Sequence, residues 1–179
     1  MADSNITKRA LATALRELME EVPFDKIQVA HICERCDMNR KSFYYHFKDK
    51  YDLVNWIFDV EFITLVNEKT YESMWEIMPI LCDFFYDNRV FYRKALCIKG
   101  QNSFSEHFGD LLFPVIANRL RDILNEKEVK EFQVTFIADA VVMAFQRWIV
   151  ENDEMSPKDF MSQIKSSIKY IAIRYGDIE

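Results

Sequence analysis

Arg40, Lys41, Ser42, Tyr44, Tyr45 and His46 crowd one short window of the chain, with Lys48 and Lys50 just beyond. No acidic residue lies between Met38 and Lys48. The whole chain carries a formal net charge of −6, so a purely cationic window stands out against its background. Exposed tyrosines among cations are unusual for plain surface, but they suit a polyanion. A phenol can donate to a phosphate while its ring packs on a sugar edge. A helix fits the major groove of DNA with its first turn aimed at base edges. Arg40 and Lys41 fall in such a first turn, where either can pair with guanine, and Ser42 can donate to a base or a phosphate. Tyr44, Tyr45 and His46 fall where the helix climbs back toward the backbone, which suits phosphate contacts. Lys50 opens a further helix, where a cation opposes the helix dipole. A phosphate held there by the lysine and the free N–H groups would remove the conflict.

The elements that position these residues follow from periodicity. Ile6, Ala10, Leu11, Ala14, Leu15, Leu18 and Met19 repeat at steps of three and four, which predicts a helix from Asn5 to about Glu20. Ser4 or Asn5 can cap it, and Pro23 closes it. Two short helices follow, Gln28 to about Cys36 and Asn39 to about Phe47. Only Cys36-Asp37-Met38 lies between them, a helix-turn-helix corner. Asp tolerates the left-handed conformation such corners often need. Asn39 caps the second of the pair, with Phe43 and Phe47 inward. Asp49 caps a long helix over Lys50–Asn67. Further helices are expected at Ser73–Asn88, Val90–Ile98, Phe104–Asn125, Glu128–Glu151 and Ser156–Tyr175. Lys99-Gly100-Gln101-Asn102 is the clearest break, and no strand is convincing.

The 179 residues include only 3 Gly and 4 Pro, against 50% apolar and 15% aromatic residues, which favours an all-α globular protein and excludes extensive disorder. The charge is uneven: residues 1–50 hold 9 Lys+Arg and 8 Asp+Glu, and the remainder 14 and 21. Met1–Glu21 lacks the apolar core of a signal peptide, and no apolar run reads as a membrane span. A cytoplasmic protein is expected, its four cysteines free thiols.

The stretch from Ile27 to Leu53 closely resembles the DNA-binding module of the TetR/AcrR family of bacterial regulators. The resemblance rests on Phe43-Tyr44-Tyr45-His46-Phe47-Lys48-Asp49-Lys50, followed by Asp52-Leu53. It covers residues 5–55. The chain departs from the family at the corner, where Cys36-Asp37 replaces the usual Ala-Gly, and at Gln28, where a capping Thr or Ser is usual. The resemblance implies a three-helix DNA-binding domain over residues 1–50 and a larger helical domain over 51–179. It also implies a homodimer built on a four-helix bundle of the last two helices, binding a short palindromic operator in double-stranded DNA. A small molecule or protein bound by the larger domain would shift Lys50–Asn67 and so respace the two heads. Operator contacts are then expected at Gln28, Arg40, Lys41, Ser42, Tyr44, Tyr45, His46 and Lys50. The segment from Phe136 through Trp148-Ile149-Val150-Glu151-Asn152 to Ser156-Pro157 resembles a C-terminal subtype that includes an activator of dihydroxyacetone kinase genes.

Other residues admit blander uses. Cys33 and Cys36, with His31 nearby, could form a metal or redox site, but zinc needs four ligands and no second pair is present. Both cysteines also suit small buried positions. His107 reads as surface or pocket rim. Asp139 and Arg147, in an apolar helix, suit a polar pair across the dimer or an effector contact. The aromatic and Met-rich residues from Trp56 and Trp75 to Met143 and Trp148 could line an effector cavity or simply form core. No acid pair with a histidine, no Ser/His/Asp set and no phosphate loop is evident, so neither an enzyme nor a cofactor is expected. Two rivals to a DNA-binding regulator remain: a co-activator acting through a protein partner with weak DNA binding of its own, and a thiol sensor using Cys33 and Cys36.

Overall fold

The computed structural model describes residues 2–66, 76–124, 131–151 and 154–174. Trp75, the expected start of the fifth helix at Ser73, and the ends placed at Asn67, Asn125, Glu128 and Tyr175 lie outside them. The helices are α1 (Ala2–Glu21), α2 (Val29–Arg35), α3 (Arg40–His46), α4 (Lys50–Val66), α5 (Ile77–Asp87), α6 (Arg89–Leu96), α7 (Phe104–Leu124), α8 (Glu131–Glu151) and α9 (Pro157–Arg174). The protein is all-α, with no strand among the described residues. Phe24–Lys26 forms a single 3-10 turn between α1 and α2, an element not expected from the periodicity.

The chain divides into two compact units. The front unit comprises Met1–Asn67 and Val90–His107, and the rear unit Glu68–Arg89 and Phe108–Glu179. In the front unit α1 packs on α2 and α4, and α2 packs on α3. Leu11, Leu15, Ile27, Ile32, Phe43 and Leu53 are fully buried at its centre. Residues of α6 and the start of α7 share that core. The Phe58 ring meets Tyr92 at 6.0 Å and Phe104 at 5.3 Å, both edge-on. The Tyr92 hydroxyl donates to Glu61 Oε2 at 2.9 Å. Arg16 of α1 also bonds Glu61 and lays its guanidinium 4.1 Å from the Phe91 ring centre. Lys94 of α6 donates to the Met19 carbonyl at 2.7 Å, satisfying an orphan acceptor at the end of α1. Gly100 stands at φ 131°, a conformation only glycine adopts without strain, and this breaks the chain between α6 and α7.

The rear unit has its own aromatic core. Phe85, Phe108 and Phe145 meet at centroid distances of 5.0–5.8 Å. Trp148 stacks on Phe160 at 4.5 Å and donates its indole N–H to the Met155 carbonyl at 3.0 Å, closing the turn from α8 to α9. Ser156 caps α9 by accepting from the Asp159 amide at 3.1 Å, with Pro157 at the first helical position. By length and composition alone, α8 is apolar enough to cross a membrane. Seven of its side chains, from Val134 to Ile149, are buried in the unit. The aromatic and Met-rich residues read as effector lining or core are thus split between two cores, with Phe136 and Met143 belonging to neither: they are 64% and 55% exposed.

Candidate nucleic-acid interface

The corner between α2 and α3 forms as the sequence suggests, by a Schellman ending. Asp37 takes φ 53°, the Met38 amide donates to the Cys33 carbonyl at 2.9 Å, and the Asp37 amide to that of Glu34 at 3.4 Å. Asn39 caps α3, its side chain accepting from the Ser42 amide at 2.9 Å. Phe43 and Phe47 point inward and are buried, which turns the rest of the short helix outward. Arg40 and Lys41 are exposed and Ser42 half-buried. Tyr44 and Tyr45 are exposed at 52% and 82%, and His46 is half-buried with its ring 4.9 Å from that of Tyr45. These six expected contact residues therefore share one helix, its cations and phenols largely free to meet a ligand.

α2 holds α3 in place and is itself tied to α1. Arg35 donates to both oxygens of Glu21, at 2.7 and 2.8 Å, and more distantly to Glu17 at 3.4 Å. This bond holds Glu21 below the usual carboxylate range. Gln28 is exposed and is the N-cap residue of α2, its backbone amide donating to His31 Nδ1 at 3.2 Å.

Lys50 differs from the expected phosphate clamp. Its ammonium is turned inward, donating to the Phe24 carbonyl at 2.6 Å and the Ile27 carbonyl at 2.7 Å, and it lies 4.2 Å from the Phe24 ring centre. Burial pulls its pKa below the usual lysine range, against a smaller upward pull from Asp25. The amides at the start of α4 are also engaged: Asp49 Oδ1 accepts from Tyr51 at 2.8 Å and Asp52 at 2.9 Å, while Asp52 Oδ2 accepts from the Lys48 amide at 3.0 Å. The dipole conflict posed by Lys50 is met by these carboxylates. Asp49 thus caps α4 as its place in the sequence suggests, while Asp52 reaches back to the amide before the cap.

The remaining candidates separate plainly. Cys33 is buried and Cys36 half-buried, and burial raises both thiol pKa values, the opposite of a reactive site. Among the described residues no cluster of three or more His, Cys, Asp or Glu is arranged to hold a metal. His107 is half-buried, its Nε2 2.8 Å from Asp59 Oδ1 within the front unit. Asp139 and Arg147 are exposed on α8, and Arg147 lies 3.8 Å from Glu151 of its own helix. An open cleft of about 650 Å³ lies in the front unit, lined by Val22, Phe24, Tyr51, Lys94, Cys97 and Ile98 among others. A smaller groove of about 380 Å³ lies in the rear unit beside Pro79, Asp83, Lys158 and Met161.

Comparison with known proteins agrees with this geometry. The family described as bacterial regulatory proteins, tetR family, matches residues 11–57, and the transcriptional regulator C-terminal region matches residues 72–170. The chain is 30% identical over 109 residues to the HTH-type dhaKLM operon transcriptional activator DhaS of Lactococcus lactis subsp. lactis (strain IL1403). That alignment covers 60% of this chain and 57% of the relative, so the chain spans little more than half its curated relative's length. Two solved structures share the fold. A TetR transcriptional regulator from Streptococcus agalactiae 2603V superposes with a TM-score of 0.73 at 20% identity, over 93% of this chain and 96% of that one. The dihydroxyacetone kinase operon activator DhaS gives 0.61 at 23% identity, over 92% and 95%.

Proposed function

We propose, for a chain that belongs to the TetR family of transcriptional regulators, that it acts in the cytoplasm as a homodimer on a short palindromic operator in double-stranded DNA. The observation that carries the reading is α3 itself. It buries Phe43 and Phe47 and presents Arg40, Lys41, Tyr44 and Tyr45 on one outward surface, without an acidic residue among them. Arg40, Lys41 and Ser42 enter the major groove, where a bidentate pair to guanine is worth about 1–3 kcal/mol of discrimination. Tyr44, Tyr45 and His46 take phosphates, and Gln28 takes a phosphate at the edge. Lys50 retains at most one N–H for such a contact. Two heads reading a palindrome need half-sites about one helical turn apart or somewhat more.

A row of exposed apolar side chains supports the dimer. Phe132, Phe136 and Met143 of α8 are 77%, 64% and 55% exposed, and Tyr170 of α9 is 62% exposed. They fit a bundle formed with the same two helices of a second copy, with Asp139 beside the seam. A small molecule or a protein partner acting on the C-terminal domain would set the activity. The relative from Lactococcus lactis is named an activator, so a reporter assay should be read for activation as well as repression.

Fluorescence anisotropy with DNA from upstream of the gene, across a salt series, tests the reading. Operator DNA should outcompete random DNA, with log K falling steeply against log salt. Arg40→Ala should relax preference at one base position, costing about 1–3 kcal/mol there. Equal binding of all sequences by the wild type would leave the co-activator reading in its place.

A further inference from the structure

We propose that Lys50 is a positioning residue for the DNA-binding surface: its ammonium fastens the turn before α2 to the first turn of α4, and so fixes where α2, and α3 packed on it, begin. The proposal rests on the reading of α3 as the DNA-contacting helix. Three observations point the same way. The ammonium donates to two main-chain carbonyls, Phe24 at 2.6 Å and Ile27 at 2.7 Å, which belong to the first residue of the 3-10 turn and to the residue that closes it. Ile27 is 1% exposed and directly precedes the N-cap residue Gln28, so a hold on its carbonyl is a hold on the start of α2. The aromatic side is closed as well: the Phe24 ring lies 4.2 Å from the ammonium and packs edge-on against Tyr51 at 5.2 Å.

The surroundings also disfavour a phosphate at this point. The amides of Tyr51 and Asp52 are already bonded to the Asp49 carboxylate, and Asp52 is bonded to the Lys48 amide. An incoming phosphate would meet two carboxylates where free donors are needed. An ammonium with three rotatable donors can bridge two carbonyls and stack on a ring, whereas a planar guanidinium of greater bulk cannot take the same seat.

The two roles give different results. With Lys50 as a positioning residue, Lys50→Met lowers operator affinity about tenfold, near the low end for losing one hydrogen bond from a charged group. Random DNA is bound as before, the salt slope is unchanged, and Lys50→Arg fails to restore affinity although the charge is kept. If Lys50 instead neutralised a phosphate, Lys50→Met would flatten the salt slope by about 0.9 for that phosphate. Random DNA would suffer equally and Lys50→Arg would bind nearly as wild type; that result overturns the proposal. A measurement on the unaltered chain stands beside these, in case the variants fold poorly. In protein labelled with ¹⁵N at lysine, the Lys50 ammonium should give a cross-peak protected from water exchange in the free protein and unmoved by operator DNA. A signal lost to exchange in the free protein, or one that shifts only with DNA, overturns the tie. Because the exchange protection is read in the free protein, the tie and the DNA-binding reading can fail separately: a wild type that ignores sequence sinks the second and leaves the first to the ammonium signal.

Discussion

Asp37 turns the chain between α2 and α3 with a positive φ of 53°, and it shows how much one residue can decide. A left-handed backbone costs an ordinary L residue about 1–2 kcal/mol, a penalty that Asp and Asn partly escape and Gly avoids. Asp37→Ala should therefore destabilise the protein by about 1 kcal/mol, while Asp37→Gly should cost nothing or raise stability. Urea unfolding of both variants checks this; equal stability of the two would mean that the corner is not held in that conformation. The aspartate at this corner could be read from its type and place alone. The inward turn of Lys50 could not. Its carbonyl partners lie 23 and 26 residues away, in a turn that periodicity gave no reason to draw. A lysine in a cationic window looks like a phosphate ligand until the geometry shows both carbonyls.

Helices were legible where burial is regular. α1 repeats its apolar residues at helical steps, and Leu11, Ala14, Leu15 and Met19 are indeed buried. Pro157 and Ser156 announce the start of α9 by first-turn and capping chemistry, and the structure has both. Ends without such chemistry were less legible. α6 ends at Leu96 rather than Ile98, where no distinctive residue marks the end, and α1 begins at Ala2, ahead of the Ser4 or Asn5 expected to cap it. Trp148 ties the end of α8 to the start of α9. Trp148→Phe keeps a ring against Phe160 but removes the N–H bonded to the Met155 carbonyl, so it should cost about 1–2 kcal/mol. Chemical denaturation followed by far-ultraviolet dichroism gives that number directly. No measurable change would mean the hydrogen bond contributes no net stability.

At the scale of the molecule, the sequence displayed the all-α class and the outward face of α3, but not which helices share a core. Tyr92, Phe104 and His107 are far in sequence from α1 and α4 yet belong to the same compact unit, and Lys94 reaches a carbonyl 75 residues away. Such partners leave no periodic trace. For the proposed dimer, Phe136→Glu should place a charge in the seam and leave a monomer with greatly weakened operator binding. Analytical ultracentrifugation with matched anisotropy checks it; a variant that stays dimeric would move the seam off α8. The membership of the front unit has a practical consequence for building chimaeras. A head spliced onto a foreign partner at residue 50 would leave Arg16 without Glu61, the end of α1 without Lys94, and the core without the Tyr92 ring. The front unit is thus made of two pieces of chain, 1–67 together with 90–107, and a single cut leaves those contacts unmade.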